Sequence, residues 1–150
     1  KKACRKYQIN GKVISQKDNA RLKPYIYSLT KIALCKSGTV NMELALYDIP
    51  QVVGYRVSRV TAFIAKRILN FKVKYISPVN LLMRKLIVPE FVQKDFEVKK
   101  IFEKSCFLIN RNKEHIKIKQ GYSSLRKELG EKGVVARAAE EILNSLKQNL

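Results

Sequence analysis

Serine, glycine and threonine stand together at positions 37–39, within the stretch KIALCKSGTVNMELALYD of residues 31–48, where a short apolar run gives way to helix-spaced apolar residues. Strand, small-residue turn and helix in that order suit a phosphate. The turn is uncluttered, so backbone N–H groups at the start of the helix can face an anion, and the helix dipole favours negative charge there. Glu43 lies one turn further in, on a helix whose Met42, Leu44, Ala45 and Leu46 are expected to bury the opposite side. A carboxylate so placed repels phosphate but can accept hydrogen bonds from sugar hydroxyls, and the combination points to a nucleotide site of the open α/β kind. The plainer reading competes with it. Ser-Gly-Thr is a common helix entry, Thr39 is an ordinary N-cap candidate, and a lone helical glutamate is usually solvated.

The rest of the composition sets bounds on that site. A chain of 150 residues with 46% apolar content suffices for one domain burying roughly 70% of its unfolded surface. No run approaches the ~20 apolar residues of a membrane span, and no apolar stretch follows the basic opening KKACRKYQINGK, so neither a span nor a signal peptide is expected. Cys4, Cys35 and Cys106 are odd in number and lack metal spacing, which fits inert thiols in a reducing compartment. His115 is the only histidine, so a zinc site or a histidine-activated nucleophile has little to build on.

Thirty-one Lys plus Arg against 12 Asp plus Glu give a formal net charge of +19. Such a field attracts nucleic acid, anionic membranes and anionic substrates alike, and a lysine-biased composition alone produces it too. The basic residues concentrate at positions 1–6, 66–74 and 99–119. No arginine-rich recognition helix, aromatic RNA-binding strand or zinc-finger spacing accompanies them, so nothing singles out nucleic acid as partner. Lys66, Arg67, Lys72 and Lys74 lie beside Phe63, Leu69 and Phe71, a combination that suits an anionic membrane face and equally a solvated one.

The elements that must position the site alternate along the chain. Residues 11–16 read as a short strand, and 22–30 as a helix with Tyr25, Ile26 and Leu29 on its apolar face. Residues 32–35 read as a buried strand, followed by the Ser37 turn and a helix to about Tyr47. Asp48-Ile49-Pro50 stops that helix, since the residue before proline disfavours helical geometry. QVVGY (51–55) reads as the next strand, 58–70 as a helix through Val60, Phe63, Ile64, Ile68 and Leu69, and 73–76 as another short strand. An irregular turn follows at 77–80, and then an apolar run from 81 to 88. Glu90 after Pro89 reads as a helix start and Asp95 as a cap. The tail is helical over about 96–109, 122–129 and 134–150. Strands interleaved with helices predict an α/β fold, a doubly wound and mostly parallel sheet covered on both faces. Ligands bind at the carboxyl ends of such strands, where Ser37, Tyr55-Arg56 and 77–80 would gather.

At this point the motifs add up to a resemblance. SGTVNMELAL, IPQVVGYRVS, AKRIL and YISPVNLLMRKLIVPEFVQ, in that order, with LGEKGVVARAAEEIL near the end, resemble the carboxyl-terminal half of lipid-A-disaccharide synthases. The likeness is densest over residues 37–93 and extends weakly back to about 27. It implies a Rossmann-like domain of a GT-B inverting glycosyltransferase, which joins a UDP-linked diacylglucosamine donor to a lipid X acceptor and releases UDP. It further implies that Ser37, Gly38 and Thr39 hold the UDP phosphates, that Glu43 meets the ribose, that Tyr55 and Arg56 fall on a Gly-Tyr-Arg signature, and that Asn80 lies close to the sugar nucleotide. Two departures stand out: Pro78 precedes Val79 where many relatives have Leu-Pro, and Arg84-Lys85 replace a Gly-Arg pair. SPVN and IVPEFVQ resemble cyanobacterial or plastid-type members most.

The resemblance also implies a single nucleotide-sugar-binding domain over 1–150, closed by helices from about 96, without the family's acceptor-binding amino-terminal domain or its Pro-Gly-Ser-Arg loop. This half alone is then expected to be inactive. No catalytic base is assigned among its residues. Neither metal nor other cofactor is expected, because helix dipole and Arg56 supply the positive field. The implied location is cytoplasmic, peripheral to the inner membrane, or the plastid stroma. Two other readings share the fold: a basic module binding RNA or anionic lipid, and a UDP-sugar transferase with a different lipid acceptor.

Overall fold

The computed structural model describes residues 6, 8, 10–58, 74–110, 113–131 and 133–148. Three parallel strands, β1 (Ala33–Lys36), β2 (Gln51–Tyr55) and β3 (Glu90–Val92), lie side by side in the order β1-β2-β3. Leu34 pairs with Val52 and Lys36 with Gly54, while Val53 pairs with Glu90 and Tyr55 with Val92. All three carboxyl ends therefore open on one edge. The helices are α1 (Gln16–Leu29), α2 (Val40–Leu46), α3 (Pro78–Met83), α4 (Val98–Ile109), α5 (Lys113–Leu129) and α6 (Val134–Gln148), with a 3-10 turn at Gln93–Asp95.

The core forms where α2, α3 and α5 meet the sheet. Ala45, Val52, Val53, Val79, Val88, Leu108, Ile118, Tyr122 and Leu125 make one buried cluster, and Ile118, Tyr122 and Leu125 recur at the i, i+4, i+7 spacing of one helical face. At the far end of α2, Asp48 takes a left-handed φ of 55°. Arg126 grips that end, bonding both Asp48 carboxylate oxygens at 2.9 and 3.1 Å and donating to the Ala45 carbonyl at 3.3 Å. A cation on terminal helix carbonyls is favourably placed for the dipole.

Several elements differ from the sequence expectation. Residues 11–15 form no strand, and α1 begins at Gln16. Tyr25 and Leu29 are exposed; α1 instead docks through Tyr27, whose ring meets that of Tyr47 edge-on with centroids 5.0 Å apart. Leu46 is 49% exposed, because the buried stripe of α2 runs through Asn41, Leu44 and Ala45. Thr39 makes no side-chain cap bond and sits in helical geometry. Glu90 opens a strand rather than a helix, and Asp95 pairs with Lys100 at 3.0 Å rather than capping. Residues 74–76 are not a strand; the expected helix over 58–70 lies outside the described residues beyond Ser58, as do Lys66, Arg67 and Lys72 of the basic cluster. The second sheet face is only partly covered among the described residues: α4 lies against β2, yet Leu34 stays 63% exposed. The α6 apolar residues Val134, Val135, Ile142, Leu143 and Leu146 are likewise exposed. No described helix is long and apolar enough to cross a membrane.

Arg84, one of the two departures from the family pattern, ends α3 with φ 49° and ψ 25°. That left-handed position is the one glycine fills at helix ends without a Cβ penalty. Arg84→Gly is expected to raise stability by about 1 kcal/mol. Chemical denaturation should show a higher midpoint, and an unchanged or lower one would mean the arginine side chain offsets the strain.

Candidate functional site

The Ser37-Gly38-Thr39 turn is built from both sides. Asn41, fully buried on α2, reaches back to accept the Gly38 N–H at 2.8 Å and donates to the Lys36 carbonyl at 3.3 Å. Its amide also bonds the Gln51 side-chain oxygen at 3.0 Å, while the Gln51 amide donates to the Asn41 carbonyl at 2.9 Å and to the Tyr122 hydroxyl at 3.1 Å. Tyr122 donates in turn to the Ile49 carbonyl at 3.1 Å. The turn is thereby tied through a buried polar chain to α5, and burial drives the Tyr122 phenol well above its ordinary pKa. Cys35 joins the same network as acceptor from Asn41 at 3.1 Å and donor towards Gln51 at 3.4 Å; burial pushes its thiol up to about 11, so it serves as packing rather than as a thiolate.

With the Gly38 N–H taken, the N–H groups of Ser37, Thr39 and Val40 in this turn are left without an acceptor among the described residues. Nothing lies within 4 Å of where a Gly38 Cβ would stand. The face of the turn is open.

On its other side the turn is fastened to residues 76–77. Ser37 donates its hydroxyl to the Ile76 carbonyl at 2.7 Å. Glu90, from the start of β3, accepts from the backbone N–H of Ile76 at 2.8 Å and of Ser77 at 2.7 Å, and from the Asn80 amide at 2.7 Å. Ser77 caps α3 by accepting the Asn80 N–H at 3.2 Å, with Pro78 at the first helical position, where its missing N–H costs nothing. Asn80 is fully buried. Its oxygen takes the N–H groups of Ile87 and Val88, and its amide also reaches the Val88 carbonyl. Its polar atoms therefore build the 77–90 loop, and the side chain supports the edge from within rather than facing out of it.

Glu43 also has partners. Lys23 pairs with one carboxylate oxygen, and Tyr27 donates to the other at 3.4 Å. The hydrogen bond to Glu43 raises the Lys23 pKa, whereas burial and then the Glu43 charge raise that of Tyr27. A sugar hydroxyl arriving here would share the carboxylate with both. Tyr55 ends β2 and the exposed Arg56 follows it; the Lys36 ammonium lies 5.6 Å from the Tyr55 ring centroid. Gly54 is required at this point, because a Cβ there would stand 2.5 Å from the Phe96 ring. A groove of about 480 Å³ runs along this part of the sheet, lined by Leu34, Lys36, Gly54, Arg56, Phe96 and Ile101 among others. Lys74, exposed, lies with its ammonium 5.3 Å from the Tyr75 ring centroid. Among the described residues no group of three or more His, Cys, Asp and Glu side chains is disposed to hold a metal.

Sequence reasoning placed Ser37 to Thr39, Tyr55, Arg56 and residues 77–80 on one edge, and a hydrogen bond ties Ser37 to Ile76, which directly precedes the last of these. It missed Asn41, Gln51, Tyr122 and Glu90, the residues that hold the edge in shape. The visible signal was a polar residue inside an apolar stripe, Asn41 between Val40 and Met42 and Gln51 before Val52.

A small parallel sheet with helices packed against it places the protein in the α/β class. Within that class the chain is a member of the lipid-A-disaccharide synthetase family, whose sequence model matches residues 2–145. That family comprises glycosyltransferases of lipid A biosynthesis. The chain is 45% identical over 139 residues to a lipid-A-disaccharide synthase of Prochlorococcus marinus (strain MIT 9313), covering 93% of this chain and 36% of that relative. It is 45% identical over 113 residues to one of Gloeothece citriformis (strain PCC 7424), covering 75% and 29%. With one of Aquifex aeolicus (strain VF5) it is 41% identical over 120 residues, covering 79% and 31%. The chain thus spans about a third of the length of these relatives. No solved structure matches it.

Proposed function

We propose that this chain forms the donor-binding part of a GT-B type inverting glycosyltransferase that transfers an acylated glucosamine from UDP to a lipid X type acceptor. The observation that carries the reading is the fastening of the open Ser37-Gly38-Thr39 turn to Ile76 through Ser37, at the edge where Arg56 also follows its strand. In this reading the Thr39 and Val40 N–H groups and Arg56 hold the diphosphate, and Glu43 accepts from the ribose. Asn80 acts through the loop it supports. The leaving diphosphate gains charge as the glycosidic bond breaks, and fixed donors that bind it better then than before lower the barrier. Arg56 and the N–H groups provide the positive field, so this step asks for no metal. Acceptor binding and the catalytic base are assigned to the remainder of the family's length. A lipid acceptor also calls for work at an anionic membrane face, where Lys74 is one described exposed cation.

UDP at millimolar concentration is expected to shift the amide NMR signals of residues 37–43, 55 and 56. Gly38→Ala should abolish those shifts with an unchanged melting temperature, because its methyl enters space that is empty in the protein and filled by the phosphate. Glu43→Gln should weaken binding and leave folding nearly intact, since the ion pair lost with Lys23 is part-exposed and worth about 0–1 kcal/mol. Shifts confined to the helices of residues 98–148, or no shifts at all, would refute the site.

A further inference from the structure

We infer that Lys36 is a second diphosphate-binding cation, acting with Arg56 so that this edge selects nucleoside diphosphates over nucleoside monophosphates; the inference rests on the donor-binding reading above. Lys36 is the last residue of β1 and directly precedes Ser37. Side chains alternate along a strand. Cys35 accordingly turns into the Asn41–Gln51 network, and Leu34 and Lys36 line the groove on the other face together with Arg56. The partner of Lys36 across the sheet is Gly54, over which the Phe96 ring lies, so Lys36 shares this groove with that ring.

Among the described residues the charges here are uncompensated: the ion pairs take up Lys23, Lys100, Lys104 and Arg126, and neither Lys36 nor Arg56 has a carboxylate partner. Two acids of this part of the molecule are already engaged: Glu90 by Ile76, Ser77 and Asn80, Glu43 by Lys23 and Tyr27. What holds Lys36 is the face of the Tyr55 ring, with the ammonium 5.6 Å from its centroid. A cation over a half-buried tyrosine ring is held less firmly than an ammonium on a phosphate oxygen, which makes a short charge-assisted bond. Tyr55 therefore parks the ammonium at the end of β2 until an anion displaces it. Two positive groups at the rim of one groove match the two phosphates of a diphosphate better than the single phosphate of a monophosphate.

The test compares UDP, UMP and uridine as ligands of the whole 150-residue chain and of Lys36→Met, by NMR titration at low and moderate salt. The parent should bind UDP more tightly than UMP, and UMP more tightly than uridine. Lys36→Met should weaken UDP about tenfold, narrow the UDP-to-UMP ratio, flatten the salt dependence and leave uridine unchanged, with Lys36→Arg restoring most of the loss. UDP affinity within twofold of the parent in Lys36→Met would overturn the role of Lys36 while the donor site stands. Equal loss for all three ligands would mean that Lys36 merely supports the fold, and overturns the inference as well. Failure of the parent to bind UDP at all would remove the donor-binding reading itself, and this inference with it.

Discussion

Asn80→Ala is expected to destabilise the protein by about 3–5 kcal/mol, although it removes only a few polar atoms and no large apolar group. The side chain is completely buried and makes four hydrogen bonds: from the N–H groups of Ile87 at 2.7 Å and Val88 at 2.9 Å, and to the Val88 carbonyl at 2.8 Å and Glu90 at 2.7 Å. Alanine leaves two inner backbone N–H groups without an acceptor and takes one donor from a part-buried carboxylate, and each orphaned group costs about 1–3 kcal/mol. The urea midpoint should fall by about 1–3 M with little change in slope. Asn80→Asp keeps an acceptor for the two N–H groups but sets a second carboxylate against Glu90, so it should also be destabilised at neutral pH. A loss under about 1 kcal/mol for Asn80→Ala would show that water or a rearranged 84–88 segment replaces the amide. If the loss is as large as expected, Asn80 earns its place in the family motif by shaping the loop beside Ser37, whatever it does for a ligand.

That distinction between shaping and touching marks where the sequence stops being readable. The boundaries of β2 could be read from QVVGY, and the Ser37 turn from an apolar run ending in small residues, because both signals are local. The strand at Glu90 could not: three residues after a proline, the first of them charged, carry no alternation, and the pairing with β2 supplies all the order. Leu46 illustrates a related limit. Helical spacing shows that a face exists, but Asn41 fills the buried side of α2 because Gln51 and Gly38 offer it partners from distant parts of the chain. The first half of α5 was hidden in a lysine-rich stretch of weak amphipathicity, and only Ile118, Tyr122 and Leu125 declared its buried side. Candidate ligand-facing residues came from an ordered series of motifs. The buried amides and carboxylate that position them follow no such spacing rule, so they became visible only as contacts.

The second large effect is expected at Tyr122, where Tyr122→Ala should cost about 3–5 kcal/mol by emptying the space of a fully buried ring at the centre of the core. Tyr122→Phe keeps the ring and removes only the hydroxyl, which bonds the Ile49 carbonyl and the Gln51 amide at 3.1 Å each. Its expected cost is about 1–3 kcal/mol, the penalty for buried groups losing a partner. The more informative readout lies far from the substitution. Gln51 passes from Tyr122 to Asn41, and Asn41 holds the Gly38 N–H at 2.8 Å, so loosening Gln51 should loosen the turn. Amide hydrogen exchange at Gly38 should therefore accelerate in Tyr122→Phe by more than the global loss of stability explains, while amides of α4 follow that global loss alone. Uniform acceleration across the chain would reduce Tyr122 to a core residue with a satisfied hydroxyl. A selective effect at Gly38 would instead make the polar chain from α5 the reason why this turn keeps one shape when no ligand is there to hold it.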